Sequence, residues 1–323
     1  MTYALYGGTL AFTWFLALNV LLSLVVAAIA RPAAAMLDSS DPRLRARVLL
    51  ALRLLPAALS ILFVVGVFLP SYMELEPRDF DEAFGLTTTT FAAVSCLVLS
   101  AALWRGAAAL RDAARRSRRF VAHARPVALA GSPAPAFCLE AETPSMTLVG
   151  VFRPKLLVTR PLLDLLTAEE LRASVEHEVG HLRSRDNLKR LFMRATPDAL
   201  SLFGASRRLE HDWALAAEHA ADACAAQDST MGLALAAALV KIARLTPPAP
   251  ASPVLASPLV GGDAIASRIS RLMDDAAANR PSWVARAIGL GSAAALLAAL
   301  VVGYRPLLAS VHQISEVLVR VLP

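Results

Sequence analysis

Four apolar stretches constrain the fold of this 323-residue chain more than any other feature of its sequence. The first, Ala4–Ala30, contains no charged residue, and the others cover about Val48–Leu69, Phe84–Trp104 and Ala287–Tyr304. Each is close to the roughly 20 apolar residues that a helix needs to cross a bilayer. The charged fraction is only 18%, whereas soluble domains carry about 25%. We therefore expect a mainly α integral membrane protein with four transmembrane helices, and Arg53 near one end of the second can reach the interface.

The placement of arginine predicts how these helices are oriented. The 31–47 loop contains four arginines, whereas the Ser71–Ala83 loop contains one arginine among five acidic residues. Six more arginines follow the third stretch, between Arg105 and Arg119. Basic residues in short loops mark the cytoplasmic side, so we expect segment 105–286 in the cytoplasm and both termini outside the cytoplasmic membrane. The arginines beside the membrane helix could bind nucleic acid, but their position favours lipid headgroups, and no direct nucleic-acid role is predicted.

The segment between the third and fourth spans is expected to be an α+β domain. Short β-prone runs separated by turn formers predict a small sheet. These runs are Pro126–Ala130, Phe137–Glu142, Met146–Val151 and Lys155–Thr159. After them, Thr167 and Glu170 have the spacing of a capping box, which predicts a helix that begins at about Ala168.

This helix carries the sequence His177-Glu178-Val179-Gly180-His181. Imidazoles four residues apart lie on one face of a helix, close enough to bind a single Zn²⁺. Glu178 lies beside them, where it can act as the general base of a metalloprotease on a water at the metal. The alternative is a surface helix with two unrelated histidines, so the hypothesis requires a third ligand downstream.

A third ligand is expected in the helical stretch 206–227. Its ionisable candidates are Glu210, His211, Glu218 and His219. Glu218 and Asp222 are one turn apart on a face of alanines that permits close approach to the first helix, whereas His219 points roughly 100° away. We expect Glu218 to complete a site of two histidines and one glutamate, with Asp222 accepting a hydrogen bond from a ligand imidazole. The alternative for both carboxylates is a solvated acidic face.

Together these segments resemble the membrane zinc metallopeptidases of the β-lactam sensor-transducer family. The similarity lies in three segments and in the order of three spans before and one after the domain. The segments are Gly150–Val158, Glu176–His181 followed by Arg183, Arg185 and Asp186, and Glu218–Asp222. Heat-shock-associated membrane proteases and prenyl-protein endoproteases share the two-part zinc motif. The resemblance implies a zincin-like peptidase domain with Zn²⁺, and an edge strand near Met146–Val151 that holds an extended substrate.

The resemblance also implies a regulatory role in signalling, such as cleavage of a cytoplasmic repressor or of a membrane protein. In one respect the sequence departs from the family. Only the short external tail 305–323 follows the expected fourth span, too little for the family's penicillin-binding sensor domain. Direct antibiotic sensing is therefore not expected.

Two other functions are alternatives to a peptidase. A signalling scaffold would keep zinc without cleaving, but the intact Glu178 counts against it. A four-helix transporter would need ionisable groups inside its spans, where only Arg53 is found.

The remaining motifs are expected to be structural. The proline-rich segment Thr246–Pro258 is interpreted as a linker. A helix through Ile265, Ile269 and Leu272, with Arg268 and Arg271 beside them, is expected to dock on the domain. His123, His211 and His312 are interpreted as surface residues, and Cys138 and Cys224 as small buried groups.

Overall fold

The computed structural model of the protein describes residues 3–38, 40–78, 85–197, 199–245, 262–273, 303–319 and 321. Most of the expected fourth span, Ala287–Tyr304, lies outside the described residues, as does the whole expected linker, Thr246–Pro258. The four-span arrangement and the boundary at residue 286 therefore stay predictions.

Three long apolar helical segments begin the chain, and each could cross a membrane by its length and composition. Helix α1 covers Tyr3–Met36. The second segment consists of α2 (Pro42–Phe63), a π-helical turn and the short α3 (Leu69–Leu75). The third is α4 (Leu86–Ala122), which runs well past the expected end at Trp104 and includes the arginine-rich stretch. Alanine and arginine are both good helix formers, so this polar continuation stays helical.

A four-stranded sheet follows α4, as the β-prone runs predict. Its strands are β1 (Ala124–Val127), β2 (Ala136–Leu139), β3 (Met146–Val149) and β4 (Lys155–Thr159). The order in space is β1-β2-β4-β3, with β2 and β4 parallel and both outer pairs antiparallel. Strand β3 therefore lies at one edge of the sheet, and α6 packs against the sheet through Val175 and Val179.

The rest of the described chain is helical. The helices are α5 (Arg160–Leu165), α6 (Ala168–Ser184), α7 (Asp186–Ala195), α8 (Ala205–Ala225), α9 (Ser229–Leu245), α10 (Gly262–Met273) and α11 (303–319). The expected capping box is present, because Thr167 accepts from the Glu170 N–H while Glu170 accepts from the Thr167 N–H. Helix α6 ends at Ser184, and the left-handed backbone of Arg185 (φ 54°) turns the chain directly into α7.

The membrane helices and the domain share one apolar cluster. Leu49 of α2 and Val26 of α1 pack with Leu209 and Trp213 of α8. Arg53 does not reach toward an interface as expected. It is buried against the domain, where its Nε and Nη2 donate to Glu210 Oε1 at 3.1 and 3.0 Å. A buried guanidinium requires such a partner, because an unpaired charge in an apolar environment is strongly unfavourable.

Candidate metal centre

Three side chains from α6 and α8 converge on one point. The Nε2 atoms of His177 and His181 are 3.2 Å apart. Each of them lies 3.5 Å from a carboxylate oxygen of Glu218. Zinc–ligand bonds of about 2.0–2.1 Å at tetrahedral angles place ligand atoms roughly 3.3–3.4 Å apart. Each imidazole faces a different oxygen of Glu218, so the two imidazoles and the carboxylate form a triangle of groups with the spacing of ligands around one zinc ion.

Each imidazole contacts a carboxylate through its Nδ1 atom, on the side away from the other histidine's Nε2. The Nδ1 atom of His177 is 2.9 Å from Asp222 Oδ1, and the Nδ1 atom of His181 is 2.8 Å from Asp186 Oδ2. An ionised carboxylate only accepts, so both Nδ1 atoms carry the hydrogen and both Nε2 lone pairs face inward. Two lone pairs 3.2 Å apart require a cation between them, either a proton or a metal ion. The donor set and its orientation therefore fit Zn²⁺.

The close approach of the two helices depends on small residues at their crossing. A Cβ atom added at Gly180 would lie 3.1 Å from Ala221 Cα and 3.2 Å from Cys224 Cβ. Ala221 and Ala225 are buried, as expected for a face turned toward α6. Ala217 belongs instead to the cluster shared with the membrane helices, so α8 is enclosed on two sides. Glu218 is thus held at a fixed distance from the histidines.

Arg268 of α10 is a site residue that sequence reasoning missed. It is 7% exposed, and its Nε and Nη2 donate to the two oxygens of Asp222 at 2.7 and 2.6 Å. Its Nη1 lies 3.3 Å from Glu218 Oε2. In the sequence it stands beside the apolar positions of its helix, where an arginine is ordinarily solvated. Only the packing of α10 on α8 and α9 shows that it enters the site.

Electrostatics in the cluster favour ionised carboxylates. Burial by itself raises the pKa of Glu218, but hydrogen bonds with His177 and His181 hold it well below its ordinary value. Burial likewise opposes ionisation of Asp222, yet hydrogen bonds from Arg268 and His177 lower its pKa to about 2. Both groups are therefore charged acceptors at neutral pH, as metal binding and imidazole orientation require.

Glu178 lies next to this triangle and is directed toward the sheet edge. Burial raises the pKa of its carboxyl group, while the nearby histidines and a hydrogen bond from the backbone N–H of Leu148 act in the opposite direction. The carboxyl group therefore touches β3. A carboxylate with a raised pKa beside a metal site is a suitable proton acceptor.

The other candidates of α8 lie outside the triangle. His211 is exposed, and Glu210 is engaged with Arg53. His219 is buried, and its Nε2 has no hydrogen-bond partner in the described part of the chain. Burial, followed by the charge of Arg271, lowers the pKa of His219 to about 4. A separate group of potential metal ligands consists of Glu76, His312 and Glu316.

Comparison with known proteins gives an independent view of this segment. Residues 125–248 match the family model described as Peptidase family M48. The match supports an M48-type metallopeptidase. Such peptidases depend on a metal ion, typically zinc, which agrees with the donor set found here. No curated protein matches the chain.

The M48 match covers less than half of the chain. It begins within β1 and extends just past α9, so it includes α6 and α8 but not the membrane helices or Arg268. With the three apolar helices, it indicates a membrane-associated metallopeptidase. The narrower resemblance to β-lactam sensor-transducers stays a prediction.

Proposed function

We propose that this protein is a zinc-dependent membrane endopeptidase in which His177, His181 and Glu218 hold the metal. The observation that carries the proposal is the triangle of two Nε2 atoms and one carboxylate, with sides of 3.2 to 3.5 Å. When bound, Zn²⁺ supplies Lewis-acid polarisation of the scissile carbonyl and of the attacking water. Asp222 and Asp186 keep both imidazoles in the tautomer that binds metal.

Glu178 is proposed to move the protons of the reaction. As general base it takes a proton from the attacking water, and it then donates that proton to the amine that leaves. Both steps need a carboxyl group whose pKa lies nearer to the working pH than that of a solvated glutamate. Burial shifts the pKa of Glu178 in that direction.

The outer edge of β3 is proposed to bind an extended substrate. In the antiparallel pair with β4, Ser145 accepts from the Thr159 N–H, so the alternate residues Met146 and Leu148 direct their backbone groups outward. The carbonyl of Leu148 accepts from Asn187 Nδ2 at 3.2 Å, and its N–H donates to Glu178. Because the backbone groups of Leu148 are already engaged, a substrate strand would pair at Met146. That pairing would bring the substrate backbone toward Glu178.

A regulatory role is proposed because the helix that carries Glu218 also contacts the membrane helices. Leu209 and Trp213 of α8 pack on α1 and α2, so a shift of those helices would reach the metal ligand directly.

We propose a cytoplasmic repressor or a membrane protein as the substrate, and the arginine-rich loops support a cytoplasmic site. A topology reporter fused after Arg125 should then show a cytoplasmic location. An external location of this reporter would refute that orientation.

The test compares full-length wild type, Glu178→Gln and Glu169→Gln in detergent. Glu169 lies on the same helix but is exposed, so its variant is a matched control. Zinc content and cleavage of fluorescent casein are measured for each protein. We expect Glu178→Gln to retain zinc and to cleave about 10²–10⁴-fold more slowly, while Glu169→Gln behaves as wild type.

Two results would contradict the proposal. Cleavage by Glu178→Gln at the wild-type rate would exclude Glu178 as the general base. Zinc binding by a wild-type protein that cleaves neither casein nor co-purifying proteins would favour the non-cleaving scaffold.

A further inference from the structure

A second group of metal-ligating side chains lies at the other end of the membrane helices. Glu76 directly follows α3, and His312 and Glu316 are one turn apart on α11. One ligand atom from each residue can be chosen so that all three lie within 4.8 Å of one another. The peptidase domain contacts the second membrane segment near Arg53, about 35 Å away along a helix axis. This group is therefore separate from the candidate catalytic centre.

The position of α11 is defined by several contacts with the membrane helices. Ser71 Oγ donates to the Leu308 carbonyl at 2.7 Å, and Trp14 Nε1 donates to Ser315 Oγ at 3.0 Å. Val311 is buried in an apolar cluster with residues of α1 and α3. Helix α11 thus presents His312 and Glu316 from a packed element.

The distance between Glu76 and His312 matches that of two ligands on one metal ion. Glu76 Oε2 lies 3.4 Å from His312 Nδ1, longer than the usual 2.7–3.2 Å of a protein hydrogen bond. It equals the roughly 3.3–3.4 Å between two ligands of a tetrahedral zinc ion. The two side chains are only 8% and 24% exposed.

The surroundings also suit a cation. The three side chains line a small cavity whose other walls include Tyr6 and Phe68. Two carboxylates in such partly apolar surroundings are stabilised by a bound positive charge. An imidazole nitrogen in the donor set favours transition-metal ions over Mg²⁺ and Ca²⁺.

We propose that Glu76, His312 and Glu316 bind a second divalent transition-metal ion, with Zn²⁺ as the best match. The ion would join the end of the second membrane segment to α11. This inference does not rest on the proposed peptidase function, since none of the three residues takes part in it.

The experiment is a calorimetric titration of the purified full-length protein with ZnCl₂ after its catalytic site has been loaded with one equivalent. Wild type should bind one further equivalent, and excess CaCl₂ should not prevent it. Glu76→Gln, His312→Asn and Glu316→Gln should each lose this second equivalent or bind it at least tenfold more weakly. The catalytic zinc should remain in all three, which shows that each variant is folded.

Two matched controls use the same substitutions at exposed positions. Glu74→Gln changes the neighbouring carboxylate on α3, and His211→Asn changes an exposed histidine on α8. Both should retain two equivalents. The proposal would be overturned if the Glu76, His312 and Glu316 variants bound as many equivalents as wild type, with the same affinities.

Discussion

The two histidines of the candidate centre are oriented by carboxylates from different parts of the chain. Asp222 is one turn beyond Glu218 on the same helix, so its place beside the site follows from helical spacing. Asp186 is five residues beyond His181, where a continuous helix would direct it to another face. The left-handed Arg185 breaks the helix and returns Asp186 to within 2.8 Å of the imidazole.

Removing the charge of Asp186 should weaken metal binding without removing a ligand. In Asp186→Asn we expect zinc affinity to fall about 10–100-fold, because the imidazole of His181 becomes less basic and less firmly oriented. Competition with a chromophoric chelator measures this affinity. Asp164→Asn, an exposed change on α5, should bind zinc as wild type does. Equal affinities in the two variants would show that Asp186 has no part in the site.

The protonation of His181 makes zinc affinity dependent on pH. Burial lowers the pKa of His181, but hydrogen bonds with Asp186 and Glu218 outweigh it and raise the pKa to about 10 in the metal-free protein. Because the folded pKa is raised, the proton stabilises the metal-free fold fully below pH 6.5, and that contribution is lost as pH rises through 10.

Zinc must displace the proton of His181 throughout the range below pH 10. We therefore expect apparent zinc affinity to increase from pH 6 to pH 9, roughly tenfold per pH unit for each proton released. Chelator competition at several pH values measures the slope. An affinity that does not change with pH would contradict a protonated metal-free site.

At the scale of elements, the crossing of α6 and α8 sets the distance between Glu218 and the histidines. Gly180 is the point of contact, and a methyl group there would meet the backbone of Ala221. That backbone belongs to a helix enclosed by α6 on one side and the membrane helices on the other. The crossing therefore has little room to relax.

Gly180→Ala should destabilise the protein and weaken zinc binding. Overpacking costs about 1–3 kcal/mol, whereas alanine regains at most about 1 kcal/mol of helix propensity. Gly232→Ala on α9 is the control, because its added Cβ would lie 3.5 Å or more from its neighbours. Thermal unfolding and zinc competition report the two effects. A Gly180→Ala protein as stable as the Gly232→Ala control would show that the crossing can open.

At the scale of the whole molecule, Arg53 links a membrane helix to the domain. Its guanidinium donates to Glu210 on α8 and to the backbone carbonyl of Met193 on α7. Both interactions cross from α2 to the domain that contains the candidate metal centre, beside the apolar cluster of Leu49 and Leu209. Docking of the domain therefore combines apolar packing with the ion pair between Arg53 and Glu210.

Arg53→Met should loosen this docking. Losing one partner of a buried pair costs about 3–5 kcal/mol, and we expect about 3 kcal/mol because Glu210 is partly exposed. The unfolding temperature in detergent should fall, and proteolysis between α7 and α8 should accelerate. Arg47→Met changes an exposed arginine on the same helix and should have little effect. A variant at Arg53 with unchanged proteolysis would show that the ion pair does not hold the domain.

Local sequence patterns account for much of what is seen. Apolar length predicts the three long apolar helical segments that the structure describes, the capping box predicts where α6 begins, and helical spacing places Glu218 beside Asp222. The sheet was also expected, although the strands are shorter than the β-prone runs except for β4. These features can be predicted from sequence because each depends on residues within a few turns of one another.

Only the tertiary structure decided which distant groups share an environment. Arg268 enters the site from α10, Arg53 turns to the domain instead of an interface, and His312 meets Glu76 instead of lying free on the surface. From sequence alone, a charged side chain is predicted to be exposed to solvent. Its burial requires a partner, and that partner comes from a part of the chain that is distant in sequence. Helical periodicity determined the faces of this protein, and long-range packing determined which of them meet.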